Sequence, residues 1–160
     1  MNAPAKIQQL QMQRFIRAPR EKVFDAFVTV EALELWKAPY GMTVPQARID
    51  AREGGEWQLS MQAPDGARLE LGGVYRELRR PERLVYTFCW QGGSGPMPGV
   101  ETLVEVDFIE AVGGTELRLR HTGFVDPAQL AGHGQGWDSS LNQLAELFRA
   151  PGSNTTPPRG

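Results

Sequence analysis

At 160 residues, with 41% hydrophobic and 22% charged side chains, the chain is long enough to bury one sizeable core and has the balance of a globular domain. A formal net charge of -2 gives no electrostatic reason to expect a nucleic-acid or anionic-membrane partner. The single cysteine, Cys89, excludes an intrachain disulfide and a cysteine-based metal cluster.

The N-terminal residues lack the apolar segment of a signal peptide, and no stretch approaches the length of a membrane span. A cytoplasmic location is the default expectation. Residues 1–6 read as a flexible N-terminus, 7–150 as one domain, and 151–160, polar and rich in Pro and Gly, as a disordered tail.

Residues 7–16 alternate from Leu10 onward, the period of a half-buried strand. Ala18-Pro19 opens a helix whose apolar stripe is Val23, Phe24, Phe27 and Val28. Thr29 is placed to cap a second short helix, carrying Leu33 and Trp36, that stops before Pro39. Strands and turns follow. Residues 46–52 run into Gly54-Gly55, a hairpin signal, and then into 56–62, where Trp57, Leu59 and Met61 share a face. Pro64-Asp65-Gly66 turns the chain into 67–78, with Leu69, Leu71, Gly73 and Tyr75 on one side, and Arg80-Pro81-Glu82 turns it again.

Residues 83–91 set Leu84, Tyr86, Phe88 and Trp90 together, and Cys89 in this apolar run reads as a buried, inert thiol. The loop 92–99 reads as flexible and polar. Residues 101–109 point Thr102, Val104, Val106 and Phe108 inward, and Gly113-Gly114 leads to 115–122, with Leu117, Leu119 and His121 inward. Asp126-Pro127-Ala128-Gln129 has the cap and first-turn proline of a helix N-terminus. Glycines 132, 134 and 136 weaken that helix, each by roughly 1 kcal/mol relative to alanine. From Trp137 the series Trp137, Leu141, Leu144, Phe148 forms one stripe, and Pro151 ends the element. One strand, two short helices, six hairpin-linked strands and a long helix describe an antiparallel sheet whose buried face the last helix covers.

No standard catalytic constellation is present. His121 and His133 have no paired metal spacing, and Gly132-His133-Gly134-Gln135-Gly136 lacks the third glycine of a dinucleotide loop, since Trp137 stands where it belongs. Glu101, Glu105 and Asp107 fall on the outward parity of their strand and read as solvated carboxylates; Arg79-Arg80 reads as a solvated turn. Asp50 and Arg52 are placed for a surface ion pair. His121 admits two readings: a core histidine bonded to a backbone carbonyl, or a polar anchor or acid-base group at a cavity. The inward aromatics likewise either fill the core or line a pocket.

Read in order, the residues resemble a known family. The resemblance begins with Arg14, Ala18-Pro19, Val23-Phe24 and Trp36, and continues with Asp50, Arg52, Gly54-Gly55 and Trp57. Asp65-Gly66, Gly72 with Tyr75, and Pro81 with Arg83 to Thr87 extend it. It closes with Gly114-Thr115, Leu117, Leu119, His121 to Phe124, and Gly136-Trp137 followed by Leu141 and Leu144. This series is similar to START-like (SRPBCC, helix-grip) domains, in the branch of the C-terminal domain of the heat-shock-protein-90 ATPase activator. It spans roughly residues 8–148. The resemblance implies an α+β helix-grip fold: a curved seven-stranded antiparallel sheet around a long C-terminal helix, with two short helices after the first strand and a cavity between helix and sheet.

The expected role is binding of an apolar, aromatic or lipid-like small molecule in that cavity. Trp137 and Leu141 are the expected roof, with Trp57, Leu59, Met61, Leu71, Tyr75, Phe88, Trp90 and Val104 as walls. Trp36 and Phe124 are expected near the mouth, and His121 or Tyr86 as a polar handle. The alternatives are an enzyme of the cyclase, isomerase or hydrolase type using His121 or Tyr86, and a co-chaperone-like interaction module. Neither cofactor nor metal is implied, and the chain reads as a monomer or a weak dimer through an edge strand.

Overall fold

The alternation from Leu10 produces strand β1, Gln9–Ile16, and Pro19 starts helix α1, Arg20–Phe27. A computed structural model describes residues 9–149; the expected flexible N-terminus 1–6, the domain limits at 7 and 150 and the tail 151–160 lie outside the described residues. Helix α2, Val30–Trp36, follows at once. Then come β2 (Thr43–Ile49), β3 (Glu56–Gln62), β4 (Arg68–Arg79), β5 (Arg83–Gln91), β6 (Thr102–Ala111), β7 (Gly114–Thr122) and α3 (Pro127–Leu147). The seven strands form one antiparallel sheet in the order β1-β7-β6-β5-β4-β3-β2. From β2 to β7 every neighbour in space is a neighbour in sequence, and β1 closes the far side on β7. This is the helix-grip arrangement, an open α+β sheet with a long C-terminal helix.

Strand parity assigns the core. Trp57, Leu59, Met61, Leu71, Tyr75, Leu84, Tyr86, Phe88 and Trp90 point to one face with Val104, Val106, Phe108, Leu117 and Leu119, and all are buried. Helices α1 and α2 fill one end. Trp36 is fully enclosed, its indole N–H donating to the Ala26 carbonyl at 2.9 Å and its ring 4.7 Å from Phe27. Arg14 of β1 reaches α3, with hydrogen bonds to Asn142 and Asp138, and fixes the helix against the sheet edge.

Several local expectations change. Strand β2 begins three residues earlier than expected and ends at Ile49. It is an edge strand with a register break between Thr43 and Gln46, so Pro45 costs it no essential ladder bond. Asp50 and Arg52 therefore lie in the turn, where they form an exposed ion pair at 2.9 Å. Thr29 does not cap α2 with its side chain; its hydroxyl donates back to the Asp25 carbonyl at the end of α1. The outward acids are paired rather than merely solvated. Arg83 binds Glu77, Glu105 and Asp107, Arg120 also binds Glu105, and Arg76 stands 3.5 Å from Glu101. Partial burial works against the Glu105 carboxylate, but the bonds from Arg83 and Arg120 hold it below its usual range. The paired arginines of the turn are also engaged, Arg79 by Glu77 and Arg80 by Asp25. Cys89 lies on the opposite parity from Phe88 and Trp90 and is half-buried, not enclosed.

Helix α3 is one continuous element through all three glycines. Asp126 caps it by accepting from the Gln129 backbone N–H at 2.8 Å, with Pro127 in the first turn. Gly136-Trp137 lies in the middle of the helix. The element ends at Leu147, with Phe148 as its C-cap, before Pro151 is reached.

Candidate functional site

A cavity of about 230 Å³ opens between the first half of α3, the segment after α2, and strands β3 to β5. Its deep walls are Phe88 and Trp90 of β5, Met61 of β3, and Lys37, His133, Trp137 and Ser140. Less buried residues form the rim: Pro39 and Met42 after α2, Leu69 of β4, Pro96 of the β5–β6 loop, and Gln129, Gly132 and Gly136 of α3. That loop is not the loose segment its composition suggests. Ser94 ties it to Glu70 and Gln91, and Met97 is buried. Gly95, at φ +71°, lies so close to the Trp90 indole that a Cβ would sit 2.5 Å from the ring. Only glycine satisfies both the positive φ and the contact.

Met61, Phe88, Trp90 and Trp137 of the expected site line this cavity. Trp57, Leu59, Tyr75 and Tyr86 instead surround a void of about 20 Å³ deeper in the fold, with Phe27, Leu33 and Lys37. Trp36, Leu71, Val104, His121, Phe124 and Leu141 are buried and border neither space. Trp36 is taken up by α1–α2 packing, and Phe124 by the two histidine rings, at 4.6 and 4.9 Å. A larger depression of about 450 Å³ opens at the β2–β3 turn, but its walls include Arg48, Asp50 and Arg52, exposed side chains bonded to one another or to Gln58. Charged groups already paired in solvent make that a wet rim rather than a binding site.

Both histidines are locked by tryptophans. Trp137 donates its indole N–H to His121 Nδ1 at 3.0 Å, so the proton of the neutral ring lies on Nε2, 2.7 Å from the Thr102 hydroxyl, which donates onward to the Phe88 carbonyl. His121 is bonded to side chains on both nitrogens, not to a backbone carbonyl. Trp90 donates to His133 Nε2 at 3.0 Å, which places that proton on Nδ1, facing the Gln129 carbonyl at 2.8 Å. A proton added to either accepting nitrogen would oppose an indole N–H. Burial pulls the His121 pKa well below its usual value, with further lowering from His133 and Lys37. Burial likewise lowers His133, against the opposing pull of the Gln129 carbonyl. Burial pushes the phenols of Tyr75 and Tyr86 up, so both stay protonated near neutral pH.

Lys37 is the feature sequence reasoning missed. It is the C-cap of α2, its N–H bonded to the Leu33 carbonyl and its own carbonyl accepting from Ser140 of α3 at 2.7 Å. Gln143 adds a bond to the Ala38 carbonyl, and Ser139 one to the Tyr40 N–H. Stapled in this way, the side chain runs beneath α3, only 6% exposed. Its ammonium lies 4.4 Å from the centre of the Trp137 ring and 5.2 Å from that of Phe88. Among the described residues it has neither an ion-pair partner nor a hydrogen-bond acceptor, and burial alone brings its pKa from 10.5 down to about 7. The signal was available: Leu33, Trp36 and Lys37 have the i, i+3, i+4 spacing of one helix face. His133 and Ser140 similarly fall on the stripe through Trp137, four residues before it and three after.

Among the described residues no group of three or more His, Cys, Asp or Glu side chains is arranged to hold a metal ion. No helix among them is long and apolar enough to cross a membrane.

Comparison with known proteins places this architecture. No curated protein matches the chain. Among solved structures, one from Chromobacterium violaceum is 29% identical with a TM-score of 0.80, covering 88% of this chain and 96% of its own. The Silicibacter pomeroyi protein designated AHSA1 is 27% identical, with a TM-score of 0.77 and coverage of 87% and 96%. A Staphylococcus epidermidis protein solved by NMR is also 27% identical, with a TM-score of 0.76 and coverage of 92% and 93%. The model of the family "Activator of Hsp90 ATPase homolog 1-like protein" matches residues 17–149. The chain belongs to that family, a branch of the START-like (SRPBCC) superfamily.

Proposed function

We propose that this protein binds a small, largely apolar molecule in the cavity between α3 and the sheet. The observation that carries the reading is the concave wall of Met61, Phe88, Trp90 and Trp137, which ends on the few polar groups Lys37, Gln129, His133 and Ser140. Apolar walls with a small number of convergent polar groups are the usual composition of a small-molecule site. The volume of about 230 Å³ is below the roughly 300–1,000 Å³ of drug-sized sites, which favours a compact ligand.

Two of the four tryptophans border the cavity, so intrinsic fluorescence tests the reading directly. A panel of one- and two-ring aromatic compounds should produce saturable changes in the Trp90 and Trp137 emission. Gly136→Leu, whose Cβ would start 3.9 Å from Pro39 on the cavity wall, should weaken binding at least tenfold. Absence of saturable change across the panel refutes the reading.

A second reading comes from the family's name, activation of the Hsp90 ATPase. It expects stimulated ATP hydrolysis when the protein is added to an Hsp90, and an unchanged rate removes it. Proton-transfer catalysis has less support, since both nitrogens of His121 are engaged and Tyr86 faces the deep void.

A further inference from the structure

The Lys37 ammonium is the unexplained polar group of the cavity. An ammonium has three protons to donate, and among the described residues nothing accepts them. The faces of Trp137 and Phe88 give partial compensation through cation–ring attraction. They do not replace an anion, and a buried charge left unpaired is among the costliest arrangements in a fold.

The other buried polar side chains of the cavity, His133 and Ser140, are committed, and Gln129 on the rim carries an amide but no charge. His133 holds the Trp90 N–H on one nitrogen and the Gln129 carbonyl on the other, and Ser140 donates to the Lys37 carbonyl. His121, behind Trp137, is bonded to that indole and to Thr102. The lining contains no carboxylate. A molecule entering from the rim therefore passes the Gln129 amide and meets flat aromatic and thioether surface, with one unpaired amine at the floor.

We infer that the occupant is an amphipathic organic acid, a compact aromatic or branched-alkyl carboxylate whose anionic head pairs with Lys37 while its body lies against Phe88, Trp90 and Met61. The inference rests on the cavity being a ligand site and adds the ligand's chemical class. The carboxylate supplies the missing acceptor, and charge-assisted N–H···O bonds of this kind are roughly twice as strong as neutral ones. Pairing also favours the charged amine, so an acid bound at pH 8.5 brings a proton onto Lys37. Of the titratable groups around that amine, the neutral His121 and His133 are blocked by the indole N–H groups, and the phenols of Tyr75 and Tyr86 are already protonated.

Matched acid and amide pairs test this: benzoate with benzamide, and 2-naphthoate with 2-naphthamide, titrated calorimetrically into the full chain and into Lys37→Met at pH 8.5. The acid of the better-binding pair should bind the native protein at least tenfold more tightly than its amide. Its binding should take up close to one proton, read from buffers of different ionisation enthalpy. In Lys37→Met the preference should collapse to less than threefold while the amide still binds. Equal binding of acid and amide by the native protein overturns the inference and leaves the cavity reading standing. A preference that survives Lys37→Met also overturns it, because another cation then holds the acid. If no member of either pair binds, the cavity reading itself falls and the inference with it. Borohydride trapping of a covalent 2-naphthaldehyde adduct at Lys37, without acid preference, would reassign the amine to carbonyl capture.

Discussion

Replacing Lys37 with methionine should make the protein more stable, and the gain should depend on pH in a calculable way. Folding lowers the Lys37 pKa from 10.5 to about 7. Between those values the unfolded chain holds a proton that the folded chain has released, so unfolding takes up a proton and stability rises with pH. The slope is about 1.4 kcal/mol per pH unit. As pH falls across the window of about 3.5 units, native stability therefore loses roughly 4–5 kcal/mol. Below pH 7 both states are protonated and the penalty is constant. Methionine is flexible, apolar and similar in length, and it removes the penalty together with a cation–ring attraction of about 2 kcal/mol. The variant should thus gain about 2–4 kcal/mol at pH 7, shrinking toward zero as pH approaches 10.5. The raised phenols of Tyr75 and Tyr86 destabilise both proteins alike at high pH and cancel in the difference. Urea unfolding of both proteins at pH 7, 8.5 and 10 measures it. A gain that stays constant with pH, or a loss at pH 7, would mean the ammonium is satisfied in solution and would refute the reasoning.

The paired histidines should impose a second, acidic dependence. With His121 and His133 held neutral by Trp137 and Trp90, stability should fall as pH drops below about 6.5, by up to about 1.4 kcal/mol per unit for each ring; a flat profile from pH 7 to 5 contradicts this. Trp137→Phe removes the donor to His121 and should cost about 1–3 kcal/mol while moving the His121 titration, followed by NMR, upward. Gly136→Ala meets only the Pro39 side chain at 3.9 Å, so thermal unfolding should show stabilisation of roughly 1 kcal/mol.

The fold was legible because strand parity and turn chemistry agree along most of the chain. Trp57, Leu59 and Met61 alternate with polar residues, and so do Val104, Val106 and Phe108. A one-residue slip would expose each whole set. The site was less legible because parity reports which way a side chain points, not whether another element reaches it. Leu71 and Val104 point inward as Phe88 does, yet of the three only Phe88 lines the cavity, which lies beside the first half of α3. Beside it, Ser140 and Gln143 bond to the end of α2, contacts between residues about a hundred positions apart that no local pattern encodes. The continuity of α3 rests on more than local propensity too. Three glycines argue against a helix locally, but the Asp126 cap and the apolar stripe below hold one continuous element.

Lys37 shows where local and global rules conflict. Its position on the face of Leu33 and Trp36 calls for an apolar side chain, and methionine would satisfy packing at no electrostatic cost. By the linkage argument above, an unpaired amine there gives up stability that Lys37→Met should recover. Such conflicts concentrate at sites of function, where strain or a perturbed charge is part of the task. The surrounding polar groups sharpen the point: four hydrogen bonds satisfy His121 and His133 completely, although they are as deeply placed as Lys37. Full satisfaction of the neighbours beside one unpaired amine is what the proposed acid ligand would complete. On the proposal made above, the partner is an anion small enough to pass the rim formed by Pro39, Leu69, Pro96 and Gly132.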